Sequence, residues 1–454
     1  MRIPAEIHRF FDIGEGQTLL IKGLPGTGKT TLAFEILNEM CEKRNGMYIS
    51  TRVDPDRLYR TFPWIKEIVP PRNVINATQS KLLQTLKDIS GGIPTYDTVL
   101  DFFRVLFEDV EEMESPIIVF DSWDALMNYL SPMIKEPQSF EQNICEFARD
   151  MGIHIIFVSE SANLMPLDYI VDGVVYMELF RIAGTPSAAV RDNGMRARYA
   201  REIRLEKLRG VEILQRAFTA TLHGGRFQCF TPCVEEVDAR IGGDHMRIPD
   251  PTEDCASTGI PQLDEITGGL RYGSCNVLEI NHGVGKRYYQ ILTALASNAL
   301  KNGRAVCIIP SIGYQLSPRE IFVPTNVRVV QPQGDDIVSW GRELLGIWDE
   351  LRERSGRPIL NIIGMDAMEF AFGYRQLLNI ANRLINRWKE TNDINLLVVK
   401  TGQESINMAI HVADTYFVVN ELNGGLCIYG VIPRTELYNM SMERGNRICL
   451  TPIV

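Results

Sequence analysis

A chain of 454 residues, 45% hydrophobic and 23% charged, has the make-up of a soluble globular protein and the length of two or three domains. Its net charge of −10 sets up a field that repels nucleic acid and anionic membrane, so binding a polyanion would need a local basic patch. No apolar run approaches the roughly 18–20 residues of a membrane span, and the nine cysteines are scattered without a Cys-x-x-Cys pair, which excludes a disulfide scaffold and gives little support to a zinc site at Cys229, Cys233 and Cys255.

The opening stretch Met1–Glu6 lacks the apolar core of a secretory signal, and with reduced thiols this leads us to expect a cytoplasmic protein. Short apolar strands are predicted at Thr18–Lys22, Met47–Ser50, Ile117–Asp121, His154–Ser159 and Gly173–Glu178, with helices at Thr30–Lys43 and Ser139–Met151. Near-continuous apolar strands separated by helices imply a parallel sheet covered on both faces, a doubly wound α/β domain.

Between the first strand and the first of these helices lies Gly23-Leu24-Pro25-Gly26-Thr27-Gly28-Lys29-Thr30, followed by Thr31. This is the phosphate-binding loop pattern G-x-x-x-x-G-K-[ST] in its proper strand–loop–helix setting. The glycines let backbone N–H groups converge on phosphate at a helix N-terminus, Lys29 supplies a charge to the β- and γ-phosphates, and the Thr30 hydroxyl is a Mg²⁺ ligand. Asp121, at the end of the apolar run Ile117–Phe120, is the expected second carrier of the Mg²⁺ shell. ATP and Mg²⁺ are therefore the expected cofactors.

The chain also repeats itself. Ile3-Pro4, Gly16, Gly26-Thr27-Gly28-Lys29 and Asn45-Gly46 recur 257 residues later, as Ile260-Pro261, Gly273, Gly283-Val284-Gly285-Lys286 and Asn302-Gly303. Further on, an offset of 242 lays Pro116–Ile118 over Pro358–Leu360, Asp124-Ala125 over Asp366-Ala367, Ile153–Ser159 over Asn395–Thr401 and Asp172 over Asp414. We expect a domain over residues 1–232, an acidic linker over 233–256 and a second copy over 257–454. In that copy Ile280 stands in place of the first loop glycine, Arg287 in place of the Mg²⁺-ligating hydroxyl and, by the same offset, Ile363 in place of Asp121. Gly283, Gly285 and Lys286 survive as remnants, so the second copy is expected to be degenerate and to serve structure or partner binding.

Three stretches carry a family resemblance. Ser257-Thr258-Gly259-Ile260-Pro261-Gln262-Leu263-Asp264 with Gly268-Gly269 is similar to the opening of the KaiC-like branch of RecA-type ATPases, and Lys207-Leu208-Arg209-Gly210 resembles that branch's basic hairpin. The run from Ile3 to Ala33 most resembles the archaeal gas-vesicle regulatory protein D family, itself within that branch. The resemblance implies two tandem RecA/KaiC-like P-loop domains, a ring or other homo-oligomer (a hexamer is plausible), and ATP at the subunit interface. Lys207 and Arg209 would then reach the neighbouring protomer's γ-phosphate. The class places water-activating glutamates just after its second strand; here Arg52 and Val53 hold those positions, leaving Asp54, Asp56 or Glu160 as weak substitutes and implying slow ATP hydrolysis.

Residues 181–216 carry eight arginines that the second copy lacks, which suits an interface or an acidic partner better than nucleic acid, since only Tyr199 could stack a base. The leading expectation is an ATP-binding regulator whose nucleotide state sets oligomerisation and affinity for a regulatory protein partner, in a transcription-linked role. Alternatives are a KaiC-type autokinase, which the damaged second site disfavours, and a DNA-handling ATPase, which the acidic balance disfavours.

Overall fold

A computed structural model describes residues 2–40, 45–111, 116–182, 197–232, 241, 246–313, 325–333, 336–443 and 447–454. They form two compact units, one of residues up to Phe180 with Tyr199–Thr231 and Val454, the other chiefly of Pro232–Ile453. Half of the acidic linker stretch, residues 233–240 and 242–245, lies outside the described residues, as do Arg191 and Arg196.

In the first unit the strands are β1 (Thr18–Lys22), β2 (Gly46–Ser50), β3 (Val74–Asn76), β4 (Ile117–Asp121), β5 (His154–Ser159), β6 (Gly173–Ile182), β7 (Arg198–Leu208), β8 (Ala217–Thr221) and β9 (Gln228–Cys229). The helices are α1 (Ala5–Asp12), α2 (Lys29–Met40), α3 (Pro55–Thr61), α4 (Gln79–Ser90), α5 (Tyr96–Glu111), α6 (Trp123–Leu130), α7 (Pro137–Asp150) and α8 (Pro166–Ile170). One sheet runs β3-β2-β4-β5-β1-β6-β7-β8-β9. Its pairings from β3 to β6 are parallel, and β7–β8 and β8–β9 are antiparallel.

Alternation along the strands explains why they read as continuously apolar. On β4, Ile117 and Val119 join a core with Ile7 and Phe10 of α1 and Leu32 and Ile36 of α2. Ile118 and Phe120 join the opposite core with Phe103 and Phe107 of α5, Trp123 of α6 and Phe140 of α7. Both faces of the sheet are thus covered, as a doubly wound domain requires.

The second unit contains β10 (Cys255–Ala256), β11 (Leu270–Arg271), β12 (Cys275–Ile280), β13 (Val306–Ile309), β14 (Val327–Val329), β15 (Leu360–Gly364), β16 (Ile394–Lys400), β17 (Thr415–Leu422), β18 (Gly425–Ile432), β19 (Leu437–Glu443) and β20 (Arg447–Pro452). Its helices are α9 (Pro261–Thr267), α10 (Tyr289–Lys301), α11 (Ile337–Ser355), α12 (Met365–Phe372), α13 (Tyr374–Thr391) and α14 (Ser405–Val412). Its large sheet runs β14-β13-β15-β16-β12-β17-β18-β19-β20. Counting from the strand before each loop, this is the order of the first sheet, strand for strand. The repetition seen in the residues is a repetition of topology.

The strand registers correct two alignments made on sequence. Thr18 pairs with Ile155 and, 257 residues on, Cys275 pairs with Asn395. Ile155, not Ile153, is therefore the counterpart of Asn395. Because side chains alternate with period two, a slip of two leaves the apolar pattern intact and the sequence cannot reveal it. Likewise Asp121 pairs with Val158, and Gly364 pairs with Val398. The residue in the place of Asp121 is Gly364, not Ile363. A strand buried on both faces offers no alternation to mark a one-residue slip.

Candidate nucleotide site

The sheet order brings the ends of β1, β4 and β5 side by side, with β2 next to β4, so the segments following four parallel strands meet at one edge. This is where doubly wound sheets hold their ligands. The chain leaves β1 at Gly23 with φ +144°, and a Cβ there would lie 2.0 Å from the Met177 carbonyl oxygen of β6. Only glycine lets the loop depart so close to the neighbouring strand. Gly28, at φ +97°, closes the loop, and its carbonyl accepts the Leu32 N–H of α2 at 2.9 Å. Leu24, Pro25 and Gly26 form an exposed crown, whereas Thr27, Lys29 and Thr31 are buried. The Thr27 hydroxyl ties the crown down by donating to the Leu24 carbonyl at 2.9 Å.

Lys29 folds back over its own loop, its Nζ donating to the carbonyls of Gly23 at 2.7 Å and Leu24 at 2.8 Å. Burial holds its pKa below the ordinary lysine value, while Glu160, Asp121 and Asp124 pull it back up and Arg52 pushes it down. The ammonium is thus partly desolvated, and its hydrogen bonds go to neutral carbonyls, which a phosphate oxygen would outcompete.

The Thr30 hydroxyl donates to Asp121 Oδ2 at 2.5 Å. The phenol of Tyr48, on β2, donates to the same oxygen at 2.7 Å. Burial pushes the Asp121 carboxyl up from its ordinary value, and the bonds from Thr30 and Tyr48 pull it back only in part. Burial and then the Asp121 charge push the Tyr48 phenol well above its ordinary range. A divalent cation at this pair would reverse the local balance and favour the carboxylate. These residues fit a Mg²⁺-nucleotide: a glycine-shaped cradle, a lysine on the loop, and a hydroxyl and carboxylate in mutual contact. With such a ligand bound, Thr30 and Asp121 would be the residues to hold the metal shell, and Gly23–Lys29 the phosphates.

The remaining sequence candidates separate. Asp54 caps α3, accepting from the Asp56 N–H at 3.0 Å and from Asn76 at 3.3 Å. Glu160 follows β5 and forms an ion pair with Arg52 at 2.5 Å. Its backbone N–H donates to Asp124 Oδ2 at 2.6 Å. Lys207 and Arg209 are engaged within their own unit. Lys207 Nζ donates to the carbonyls of Asp168 at 3.0 Å and Val171 at 2.5 Å, at the end of α8. Arg209 contacts Asp172 at 2.9 Å and the Tyr169 carbonyl at 3.4 Å. Two site residues went unread in the sequence: Tyr48, and Arg201 on β7, whose guanidinium donates to the Gly26 carbonyl at 3.1 Å. No motif marks either, because each reaches the loop region only through strand pairing.

The corresponding edge of the second unit is built differently. Ile280 pairs with Lys400 and Val419, so β12 continues where β1 has already turned away. Lys286, the counterpart of Lys29, precedes α10, which starts at Tyr289, three residues later than α2 does by the 257 offset. Arg287 forms an ion pair with Glu421 and donates to the Gly424 carbonyl at 2.7 Å. Among the described residues there is no cluster of three or more His, Cys, Asp or Glu side chains arranged to hold a metal. No described helix is long and apolar enough to cross a membrane.

Comparison with known proteins finds a P-loop domain family over the first unit. Residues 7–206 match the family model of the GvpD gas vesicle protein P-loop domain. The chain is 29% identical to Protein GvpD2 of Halobacterium salinarum, covering 98% of this chain and 94% of that one. It is 26% identical to Protein GvpD1 of the same organism, covering 99% of this chain and 96% of that one.

Proposed function

The chain is a GvpD-type P-loop protein, and on that premise we propose that it is an ATP-Mg²⁺-binding regulator that hydrolyses ATP slowly. The observation that carries this reading is the contact of Thr30 with Asp121 beside a buried loop lysine, the constellation that phosphate and Mg²⁺ binding requires. Slow turnover follows from what stands after β2. The water-activating position holds Arg52, and the nearby carboxylate, Glu160, is tied to that arginine. Asp54 serves as a helix cap instead.

In this reading nucleotide state controls oligomerisation, with a ring or other closed homo-oligomer as the assembled form, and thereby affinity for a regulatory protein partner in a transcription-linked, cytoplasmic role. The second unit is a degenerate RecA/KaiC-like domain. It keeps the topology and Lys286, but its strand runs on through Ile280, Arg287 is spent on Glu421, and Gly364 supplies no carboxylate. It serves structure or partner binding, not catalysis. The test combines titration of a fluorescent ATP analogue with sizing of the protein with and without ATP-Mg²⁺. Wild type should bind and change its assembly state, while Lys29→Ala should do neither. Equal binding by the folded variant would overturn the reading.

A further inference from the structure

The ion pair between Arg52 and Glu160 spans the sheet edge. Arg52 lies just after β2 and Glu160 just after β5, and between those strands runs β4, which ends in Asp121. Both members act electrostatically on the Lys29 ammonium, Glu160 raising its proton affinity and Arg52 lowering it. The pair therefore lies within electrostatic reach of the loop lysine.

Its two halves differ in how they are held. Glu160 is fixed at its backbone by Asp124, which also accepts from the Ser159 hydroxyl at 3.0 Å. Arg52 sits in a bend with its side chain 46% exposed. An exposed ion pair contributes little and exchanges partners readily. A guanidinium satisfied by a single carboxylate has donors to spare, and a phosphate with its additional charge is the better acceptor.

We propose that Arg52 is a reader of the terminal phosphate: it is parked on Glu160 without a triphosphate and transfers to the γ-phosphate when one is bound. This rests on the ATP-binding reading of the loop and adds the residue that distinguishes ATP from ADP. Lys29 and the loop amides serve both nucleotides, whereas Arg52 serves only the one with a γ-phosphate. In this chain an ATP sensor occupies the place where a hydrolytic carboxylate would stand. Glu160 competes for the same arginine and so sets the threshold for ATP.

The test is affinity for ATP and ADP, measured by calorimetry in the presence of Mg²⁺, on the full chain. Arg52→Ala should weaken ATP about tenfold or more, the loss expected for one charge-assisted contact, and leave ADP within about twofold. Glu160→Gln, by freeing Arg52, should tighten ATP several-fold (about three- to fivefold) and ADP by clearly less. The double variant separates a phosphate contact from simple repulsion by an unpaired Glu160. If Arg52 touches phosphate, Arg52→Ala in the Glu160→Gln background still costs ATP affinity. If the single-variant loss came from Glu160 repulsion, the double variant regains the wild-type ATP to ADP ratio and the proposal falls. A parallel change in ATP and ADP, or no change, also overturns it. Lys29→Ala reports on the underlying reading alone: loss of both nucleotides upholds the loop site whatever Arg52 does, and retention of both removes it.

Discussion

The guanidinium of Arg201, 6% exposed on β7, donates from Nη1 to the carbonyl oxygen of Gly26 at 3.1 Å. A buried cation on the antiparallel part of the sheet thereby pins the outermost turn of the phosphate loop. The bond uses a carbonyl, so it occupies none of the backbone N–H groups that could meet phosphate. Burial draws the Arg201 pKa down to about 10, still well above neutrality. Arg201→Ala should therefore loosen the crown and weaken ATP and ADP by the same factor, about tenfold, which is the usual cost of losing one hydrogen bond to a charged group. Calorimetry with both nucleotides checks it. A loss confined to ATP would mean that Arg201 meets the γ-phosphate, which the geometry assigns elsewhere.

Thr30→Val keeps the shape of the side chain and removes the hydroxyl that contacts Asp121. Nucleotide affinity measured in EDTA should change little, while the gain normally conferred by Mg²⁺ should largely vanish. Titrations of the same variant with and without Mg²⁺ supply the comparison. A preserved Mg²⁺ effect would move the metal to other ligands.

Lys286→Ala should leave nucleotide stoichiometry at one per chain, since α10 begins too late to present its first turn to a phosphate at the loop. Wild-type calorimetry returning two equivalents, with one lost in this variant, would make the second unit a working site.

Lys207 and Arg209 should behave differently from each other. Burial lowers the Lys207 pKa, and the ammonium is committed to the α8 carbonyls, a C-terminal capping arrangement. Lys207→Ala should therefore cost stability of the isolated protomer, about 1–2 kcal/mol. Arg209 is 52% exposed and is the better placed of the two to face a neighbour. Arg209→Ala should reduce assembly-linked activity more than stability, and mixing it with Lys29→Ala chains should restore part of that activity if the role is in trans. Mixtures as inactive as either parent, while both still assemble, would confine Arg209 to its own subunit.

His154 gives the first unit an acid sensitivity of its own. Its Nδ1 accepts the Gln17 N–H at 3.0 Å, and Phe11 packs edge-on at 5.2 Å. Burial depresses its pKa to about 4, against about 6.5 in the unfolded chain. Between those values the unfolded state binds a proton that the native state does not, so stability is lost as pH falls from about 6.5 towards 4. The difference integrates to about 3 kcal/mol. His154→Gln should flatten the fall in stability across that window when urea midpoints are compared at pH 7 and pH 4.5.

The sequence was most legible where chemistry and local structure coincide. The loop from Gly23 to Thr30 and the strands Thr18–Lys22, Ile117–Asp121 and His154–Ser159 stand where residue types placed them. Gly173–Glu178 continues to Ile182, since Glu178 and Arg181 interrupt the apolar run by which the strand is recognised while the strand goes on. What sequence could not yield depends on neighbours distant in the chain. Tyr48 was counted only as a strand residue, since its hydroxyl meets Asp121 solely through the pairing of β2 with β4. Arg201 lay among many arginines, and only the sheet order sets it apart from Arg204, which pairs with Glu178 at 2.5 Å and Glu202 at 3.1 Å. Glu160 reads in the sequence as a spare carboxylate, because its contact with Arg52 joins segments after two separate strands.

Gly364 bears on what mutation can still do to the second unit. A Cβ at that position would sit 2.6 Å from the Ser311 backbone nitrogen and 2.8 Å from its Cα, so no aspartate can be placed there until the segment after β13 moves. Rebuilding a metal site would require shifting that segment, ending β12 one residue sooner, starting α10 a turn earlier and replacing Arg287, and no one of these changes helps without the others. No single substitution would therefore give the second unit the arrangement that Lys29, Thr30 and Asp121 have in the first.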